Sequence, residues 1–448
     1  MTPSARLLSA LELIREVEGA ARPADAVVSA FFRGRRDLWD GDRAEISDLV
    51  YAVLRSHARV GWWLAKCERP ATPRSRLLAW LALGRVRTLD QIQTLFSGAD
   101  DAPAALTEAE RRLLVRLQGG SLDHPDMPET VRVECPDWAL EPLRRRFGTA
   151  FADEMAAMLT PAPLDLRVNP LRATRDEVLR ALKKLGLVAE PTRMAPEGIR
   201  LRVRPSLSRL PMLKTGEAEI QDEGSQLVAM LVGAQAGERV VDFCAGAGGK
   251  TLAIATQMAN KGVVIACDVS ENRLKRAAER FRGARLHNIQ TRLLTSERDK
   301  WVKRHKGGFD RVLVDAPCSG TGTWRRNPDA RWRDEDVGLA GLLTLQAEIL
   351  ASAQRLVRPG GRLVYATCSL LAEENEAQVE AFLAGHPEFR VLPLSEVAPQ
   401  LGDSAHPDYL SLTPARHDTD GFFAAVMQRA AAPASPGTGP REGPARVD

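Results

Sequence analysis

The stretch Asp310-Arg-Val-Leu-Val-Asp315-Ala-Pro-Cys318-Ser-Gly-Thr-Gly322 sets a carboxylate and a thiol at the end of an apolar run. Val312, Leu313 and Val314 do not alternate with polar residues, and Pro317 and the glycines stop them. That is the pattern of a strand covered on both faces in a parallel sheet, and ligands of a doubly wound sheet bind at the polar ends of such strands. A second run, Arg362 to Thr367, follows a Pro359-Gly360-Gly361 turn and ends in Cys368-Ser369. If the two strands are neighbours, both thiols open into one crevice, since adjacent strands lie ~4.8 Å apart.

Working outward, strands expected at 239–243, 263–267, 290–294, 311–315, 362–367 and 422–428 alternate with helical stretches. Residues 221–429 therefore read as an α/β domain, a doubly wound Rossmann-like sheet with right-handed crossovers. Residues 1–127 read as helices only. Thr2-Pro3 is a start signal, and Asp42 with Glu45 and Thr107 with Glu110 have capping-box spacing. Between them, 128–220 reads as a small α+β module of βαβ type. Leu164–Asn169 and Ile199–Val203 alternate, and Thr174 with Glu177 opens a helix that Gly186 stops. The Ala, Pro and Gly of 430–448 predict a disordered tail.

The formal charge is +4 over 448 residues, which permits a polyanionic partner without demanding one. The six cysteines, at 67, 135, 244, 267, 318 and 368, form no CxxC pair and follow no secretory leader. Neither disulfides nor a zinc site is expected, and a reducing cytoplasm is the default. No apolar run is long enough to span a bilayer, so a soluble protein is expected. Arg200, Arg202 and Arg204 fall on one face of their strand, where a solvated row and a nucleic-acid face both remain open. Trp324, Arg325, Arg326, Arg331, Trp332 and Arg333 interleave bases with aromatics after the cysteine turn. This suits phosphate contact and stacking on single-stranded RNA, with a packed tryptophan pair and solvated arginines as the alternative.

Val240-Val-Asp242-Phe-Cys-Ala-Gly246-Ala-Gly248-Gly249-Lys250-Thr251 is a strand, a glycine turn and a helix start, so its backbone N–H groups face a ligand. A Walker A loop needs glycine where Cys244 stands, and a dinucleotide fingerprint needs its third glycine where Thr251 stands. Asp268, closing the next strand, is set to accept both hydroxyls of a ribose. Cys244, Ala245, Gly246, Ala247, Gly248, Gly249, Lys250, Asp268 and Asp315 together suit S-adenosylmethionine, whose short amino-acid end needs a tight loop. Asp242 serves such a site or merely braces the loop.

The glycine loop, Asp315-Ala-Pro-Cys318-Ser-Gly, Thr367-Cys368-Ser369 and Thr419-Asp-Gly-Phe-Phe423 together resemble the RNA cytosine-5 methyltransferases of the RsmB/NOP (Sun) family. The front end, with Asp42 to Arg55, is similar to the NusB-like domain of the branch that methylates small-subunit (16S) ribosomal RNA. The resemblance implies S-adenosylmethionine as cofactor, RNA as partner, Cys368 as nucleophile and Cys318 as the thiol that assists release. Spacing alone does not rank the two. C5 of cytosine is a poor nucleophile until a thiolate adds to C6, and a carboxyl group such as Asp315 near N3 can share a proton with the adduct. Lys250 touches substrate or cofactor, or only begins a helix. Two departures from the family pattern stand out. Gly246-Ala247 replaces Ala-Pro in the loop, and the acid expected near the adenine is missing at Thr295-Ser296, where Glu297 or Asp299 could substitute. Transfer RNA as substrate, and an inert RNA-binding assembly factor, are the alternative readings.

Overall fold

A computed structural model describes residues 1–35, 37–203, 205–333, 338–401 and 406–431. Arg36, Arg204 and all but the first two residues of the expected disordered tail lie outside them.

The front end is a helical bundle around Leu13, Ile14, Ile46, Leu64, Leu77 and Leu78. Thr2 caps its first helix, Pro3–Glu18, by accepting from the Ala5 N–H at 3.1 Å. Thr107 and Glu110 form the expected reciprocal cap of Glu108–Leu117. Asp42 does not cap. Its helix starts earlier, at Asp40, and its carboxylate is buried against Arg6 at 3.1 Å and the N-terminal ammonium at 3.4 Å. Met127 and Val131 also pack on this core, which carries the bundle past the expected boundary at 127.

The second unit is a four-stranded sheet of β1 (Leu164–Val168), β2 (Ala189–Pro191), β3 (Gly198–Leu201) and β4 (Ala218–Ile220), in the order β2-β3-β1-β4. Every neighbouring pair is antiparallel, so β1 and β2, joined by a helix, run parallel with β3 between them, and the expected βαβ unit is present in split form. The helix Arg175–Lys184, capped by Thr174 and Glu177, closes the core over Leu166, Val168 and Ile199. The preceding helices, Asp137–Phe147 and Phe151–Ala157, do not join this core. Leu143 and Met155 pack instead against Trp324, Leu370 and Leu371, beside the cysteine turns.

The large sheet contains β5 (Arg239–Asp242), β6 (Val263–Asp268), β7 (Ile289–Leu293), β8 (Phe309–Asp315), β9 (Val357–Thr367), β10 (Phe389–Val391), β11 (Tyr409–Leu412) and β12 (Phe422–Arg429). Its order is β10-β12-β9-β8-β5-β6-β7, with β11 paired to β12. Strands β5 to β9 run parallel and β12 enters antiparallel to β9. Val240, Leu313 and Val364 bury on one face, and Val241, Val312, Val314 and Leu363 on the other. Both faces being covered is why these strands show no alternation. Pro359-Gly360-Gly361 lies inside β9 rather than before it, opposite an irregularity in β8, with Gly360 at φ +75°. No helix among the described residues is long and apolar enough to cross a membrane.

The two sheets are joined by charge. Arg200 is buried and grips Asp165 with two bonds of 2.7 Å. It also meets Glu223 at 3.4 Å and Asp418 at 3.2 Å. Removing one partner of a buried ion pair leaves an uncompensated charge. Arg200→Ala is therefore expected to lower unfolding free energy by about 3–5 kcal/mol, read from denaturant titrations.

Candidate active site and cofactor cleft

Asp315 ends β8 directly beside Ala366 of β9, so the chain leaving each strand turns into the same crevice. There the two cysteine sulfurs stand 3.5 Å apart, both half-buried. The turns are pinned together. Gly322 N donates to Cys368 O at 2.9 Å, Gly421 N to Gly322 O at 2.8 Å, and Leu370 N to Thr321 Oγ1 at 2.8 Å. A Cβ on Gly322 would stand 2.3 Å from Gly421 O, so only glycine permits this approach.

Beneath the thiols lies Glu374, with no solvent exposure. One carboxylate oxygen accepts from Ser319 N at 2.8 Å and Gln346 Nε2 at 3.0 Å. The other accepts from the hydroxyls of Ser319 and Ser369. One acid thus holds the residue after each cysteine. Sequence reasoning missed it, because Ala372-Glu373-Glu374-Asn375-Glu376 reads as the solvated start of a helix. The available signal was that both cysteines are followed by serine, so two hydroxyls at strand ends need a shared acceptor.

Lys250 Nζ donates to Asp315 Oδ2 at 2.7 Å and lies 5.1 Å from the centre of the Phe422 ring. Burial, the largest single influence, works against its ammonium, but Asp315 with Cys368 and Asp242 outweighs it, and the net direction of its pKa is upward. The Cys318 thiol is held well above its ordinary range, first by its hydrogen bond with Cys368 and then by burial. Cys244 is also pushed up, by burial and then by Asp242.

Around the corner from the thiols a cleft of about 370 Å³ opens between the ends of β5, β6 and β8, lined by Phe243, Cys244, Gly246, Asp268, Glu297 and Asp315 among others. Its size falls in the range of small-molecule sites, roughly 300–1,000 Å³. The loop fits an adenosyl ligand with an amino-acid end. Gly246, at φ +55°, has nothing within 4 Å of where a Cβ would stand, so the backbone is open to a ligand. Gly248 could not carry a Cβ, which would meet the Phe281 ring at 2.5 Å. Asp268 accepts from Gly246 N at 2.9 Å and Ser270 N at 2.7 Å, which sets its carboxylate at the cleft wall with lone pairs to spare. Asp242 takes the hydroxyl of Thr251 at 2.7 Å, while its other oxygen is buried without a partner. Burial pushes this carboxyl up to about 7. Of the two acids considered near the adenine, Asp299 is spent as a helix cap, accepting from Thr295 N and Trp301 N. Glu297 lines the cleft.

The arginines expected at an RNA face are placed otherwise. Arg325 is buried and meets Asp418 and Asp420; Arg326 meets Asp420 at 2.7 Å and Asp222 at 3.2 Å. Arg331 is buried and donates to the carbonyls of Glu134 and Met158. Arg333 pairs with Asp329 at 3.1 Å. Arg200 is internal, as described above, and Arg202 is exposed but paired with Glu190 and Asp418. Trp324 is fully buried and Trp332 stacks on His57 of the bundle, with centroids 5.3 Å apart. The acids that meet Arg325 lie more than 90 residues away in the chain, as do both acids of Arg326, which is why this part of the basic motif looked free.

A parallel sheet with one antiparallel strand inserted near its end, a glycine turn after β5 and an acid after β6 defines an S-adenosylmethionine-dependent methyltransferase. Residues 229–428 match the family model of the 16S rRNA methyltransferase RsmB/F, and 135–207 match the ferredoxin-like domain of RsmF/B-like methyltransferases. A probable ribosomal RNA small subunit methyltransferase B of Synechocystis is 33% identical, covering 95% of this chain and 100% of that one. The ribosomal RNA small subunit methyltransferase B of Serratia proteamaculans is 31% identical over 88% and 92%. Among solved structures, that of PH0851 superposes with a TM-score of 0.80 at 25% identity, covering 96% and 99%. The chain belongs to the RsmB/F family of 16S ribosomal RNA methyltransferases, and S-adenosylmethionine is its methyl donor.

Glu374→Gln replaces one acceptor oxygen with a donor where serine hydroxyls already donate. The thiols then lose their fixed spacing, and an error of about 1 Å in a reacting group costs about 10²-fold in rate. Methyl transfer is expected to fall by that order while S-adenosylmethionine affinity, measured by calorimetry, is retained.

Proposed function

We propose that the protein methylates C5 of a cytosine in small-subunit ribosomal RNA through a covalent bond between Cys368 and C6, working in the cytoplasm. The observation that carries this reading is the pair of sulfurs 3.5 Å apart beside the Lys250–Asp315 ion pair. S-adenosylmethionine supplies an electrophilic methyl group on its sulfonium. The roles of the chain's own residues follow from their neighbours. Cys318, whose proton is held tightly, can donate its S–H to Cys368 and leave that sulfur as the thiolate. The Lys250 ammonium lies near enough to be influenced by Cys368 and favours negative charge there.

Attack of the Cys368 thiolate forms the S–C6 bond and moves the C5=C6 electron pair toward C5 and the N3 side of the ring. Asp315 and Lys250, joined at 2.7 Å, are the groups that would carry the proton and charge at N3. After methylation, C5 bears both a methyl group and a proton. A water positioned by Cys318 removes that proton, the C–H pair re-forms the C5=C6 bond, and the Cys368 thiolate leaves, accepting the Cys318 S–H hydrogen bond again. In an RNA helix the cytosine must leave its stack to reach this crevice. Glu297 is the acid we assign to the adenine.

The two cysteines fail differently. Cys368→Ala is expected to give neither 5-methylcytosine nor a covalent complex, because no C6 bond forms. Cys318→Ala is expected to accumulate a protein–RNA adduct stable to denaturing electrophoresis, and the double variant to show none. Bisulfite sequencing of 16S RNA reads the product. If both single variants methylate normally, the thiols are core residues and the covalent route is wrong.

A further inference from the structure

Among the described residues, the arginines expected to meet phosphates are paired with acids or, for Arg331, spent on backbone carbonyls, so the positive surface an RNA enzyme needs must lie elsewhere. Residues 271–306 carry twelve Lys and Arg against four Asp and Glu, a net charge of +8 where the whole chain has +4. This segment contains the helix Glu271–Gly283, the strand β7 and the helix Lys300–Arg304. Because β7 pairs only with β6, it forms the open edge of the large sheet. Four of its five residues, from Gln290 to Leu293, are exposed.

The helices flank this edge on opposite faces of the sheet. Glu271–Gly283 buries Ala277 and Phe281 in one core, and Lys300–Arg304 buries Trp301 and Val302 in the other. Their remaining faces are wet and basic. Arg276, Arg282 and Arg285 on one side and Lys303, Arg304 and Lys306 on the other are exposed and have no ion pair among the described residues. Local neutralisation accounts for others: Lys275 pairs with Glu271, Arg298 with Glu297 and Glu348, and Arg280 with Glu219 of the ferredoxin-like module.

Two contacts tie this edge to the rest of the site. Arg273, on the same helix, lines the cofactor cleft. At the helix's far end, Gly216 of the module sits so close that a Cβ would lie 2.6 Å from Gly283 O, which brings the exposed Lys214 alongside. The helix has thirteen residues, about 20 Å at 1.5 Å each. A basic track therefore runs from the module past β7 to the cleft.

We propose that this edge, from Arg276, Arg282 and Arg285 across β7 to Lys303, Arg304 and Lys306, is a phosphate-binding surface that holds the RNA backbone flanking the target base. The proposal rests on RNA being the substrate, and charge complementarity selects the partner: a polyanion releases counterions along a contiguous set of unpaired cations. Two other uses of such charge are known in principle. Cations in a last helical turn complement the helix dipole, and basic residues on an edge strand prevent strand addition. Neither needs six of them unpaired on both sides of one edge.

The test uses the full chain with two triple variants, Arg276→Gln/Arg282→Gln/Arg285→Gln and Lys303→Gln/Arg304→Gln/Lys306→Gln. Binding of a fluorescent 16S RNA transcript is titrated across salt concentrations, with S-adenosylmethionine affinity and melting temperature as controls for the fold. Each phosphate contact on a single strand contributes about 0.7 to the slope of log K against log salt. A triple variant that loses three contacts should lower that slope by about 2 and weaken binding at least tenfold at low salt, with cofactor affinity unchanged. A loss in either triple supports the proposal. Unchanged affinity and slope in both overturn it, as does weakened binding to ribosomal particles with naked RNA unaffected, which would make the surface a protein contact. Failure of the methylation reading is seen separately: wild-type protein would then bind RNA with a steep salt slope and leave no cytosine modified.

Discussion

The position of Glu374 constrains the whole corner where the two cysteine turns meet. A carboxylate with no exposure is costly to bury unless its lone pairs are taken up, and here the donors come from Ser319, Ser369 and Gln346. Gln346 also donates to Pro317 O at 3.0 Å, and Tyr365 OH to Glu374 O at 2.7 Å. The two cysteine turns, 50 residues apart in the chain, are thus two sides of one hydrogen-bonded cage. Neither turn can shift without breaking bonds to a buried acid. The sulfur spacing therefore follows from the cage, while β8 and β9 only bring the turns within range.

A second polar network acts at the next scale. Arg200, Asp165, Glu223, Asp418, Arg325, Asp420, Arg326 and Asp222 alternate in sign across the seam between the ferredoxin-like module and the catalytic sheet. Burial and then Asp420 push the Asp222 carboxyl up to about 7, while Arg326 between them is driven further toward its charged form by its acids. Such pairs contribute little net stability over well-packed apolar groups, but they penalise any geometry that leaves one charge unmatched. Asp420 precedes Gly421, whose N–H closes on the Gly322 turn. The orientation of the module is in this way coupled to the loop that carries Cys318.

Much of this was legible in the sequence, and the reasons are local. Val312 to Val314 announce a two-face-buried strand because alternation is missing, and Thr107 with Glu110 announces a helix start because the cap is made within four residues. The shared crevice of Cys318 and Cys368 follows once their strands are taken as neighbours. What was not legible depends on partners far away. Asp42 has the spacing of a cap, but Arg6 and the chain terminus claim its carboxylate. The Pro359-Gly360-Gly361 segment has the composition of a turn, yet the pairing of β8 with β9 continues through it. Glu374 looks solvated until two serines from separate turns are seen to meet on it.

The arginines make the same point about charge. Arg325 and Arg331 stand in a motif whose composition suits RNA, but a guanidinium is free to meet phosphate only if the fold supplies no acid or carbonyl first. Asp418 and Asp420 reach Arg325 from more than 90 residues away, and Glu134 and Met158 reach Arg331 from more than 170. Formal charge counts these side chains; the field outside the molecule feels Arg325 little, because carboxylates match it at close range in a medium of low dielectric, and the donors of Arg331 are spent on buried carbonyls. The long-range attraction that gathers a polyanion comes from cations whose neighbours are water. Those are found where a short helix, an edge strand and a helix end expose lysine and arginine with few carboxylates between them, so the basic surface has to be sought by subtracting the pairs the topology makes.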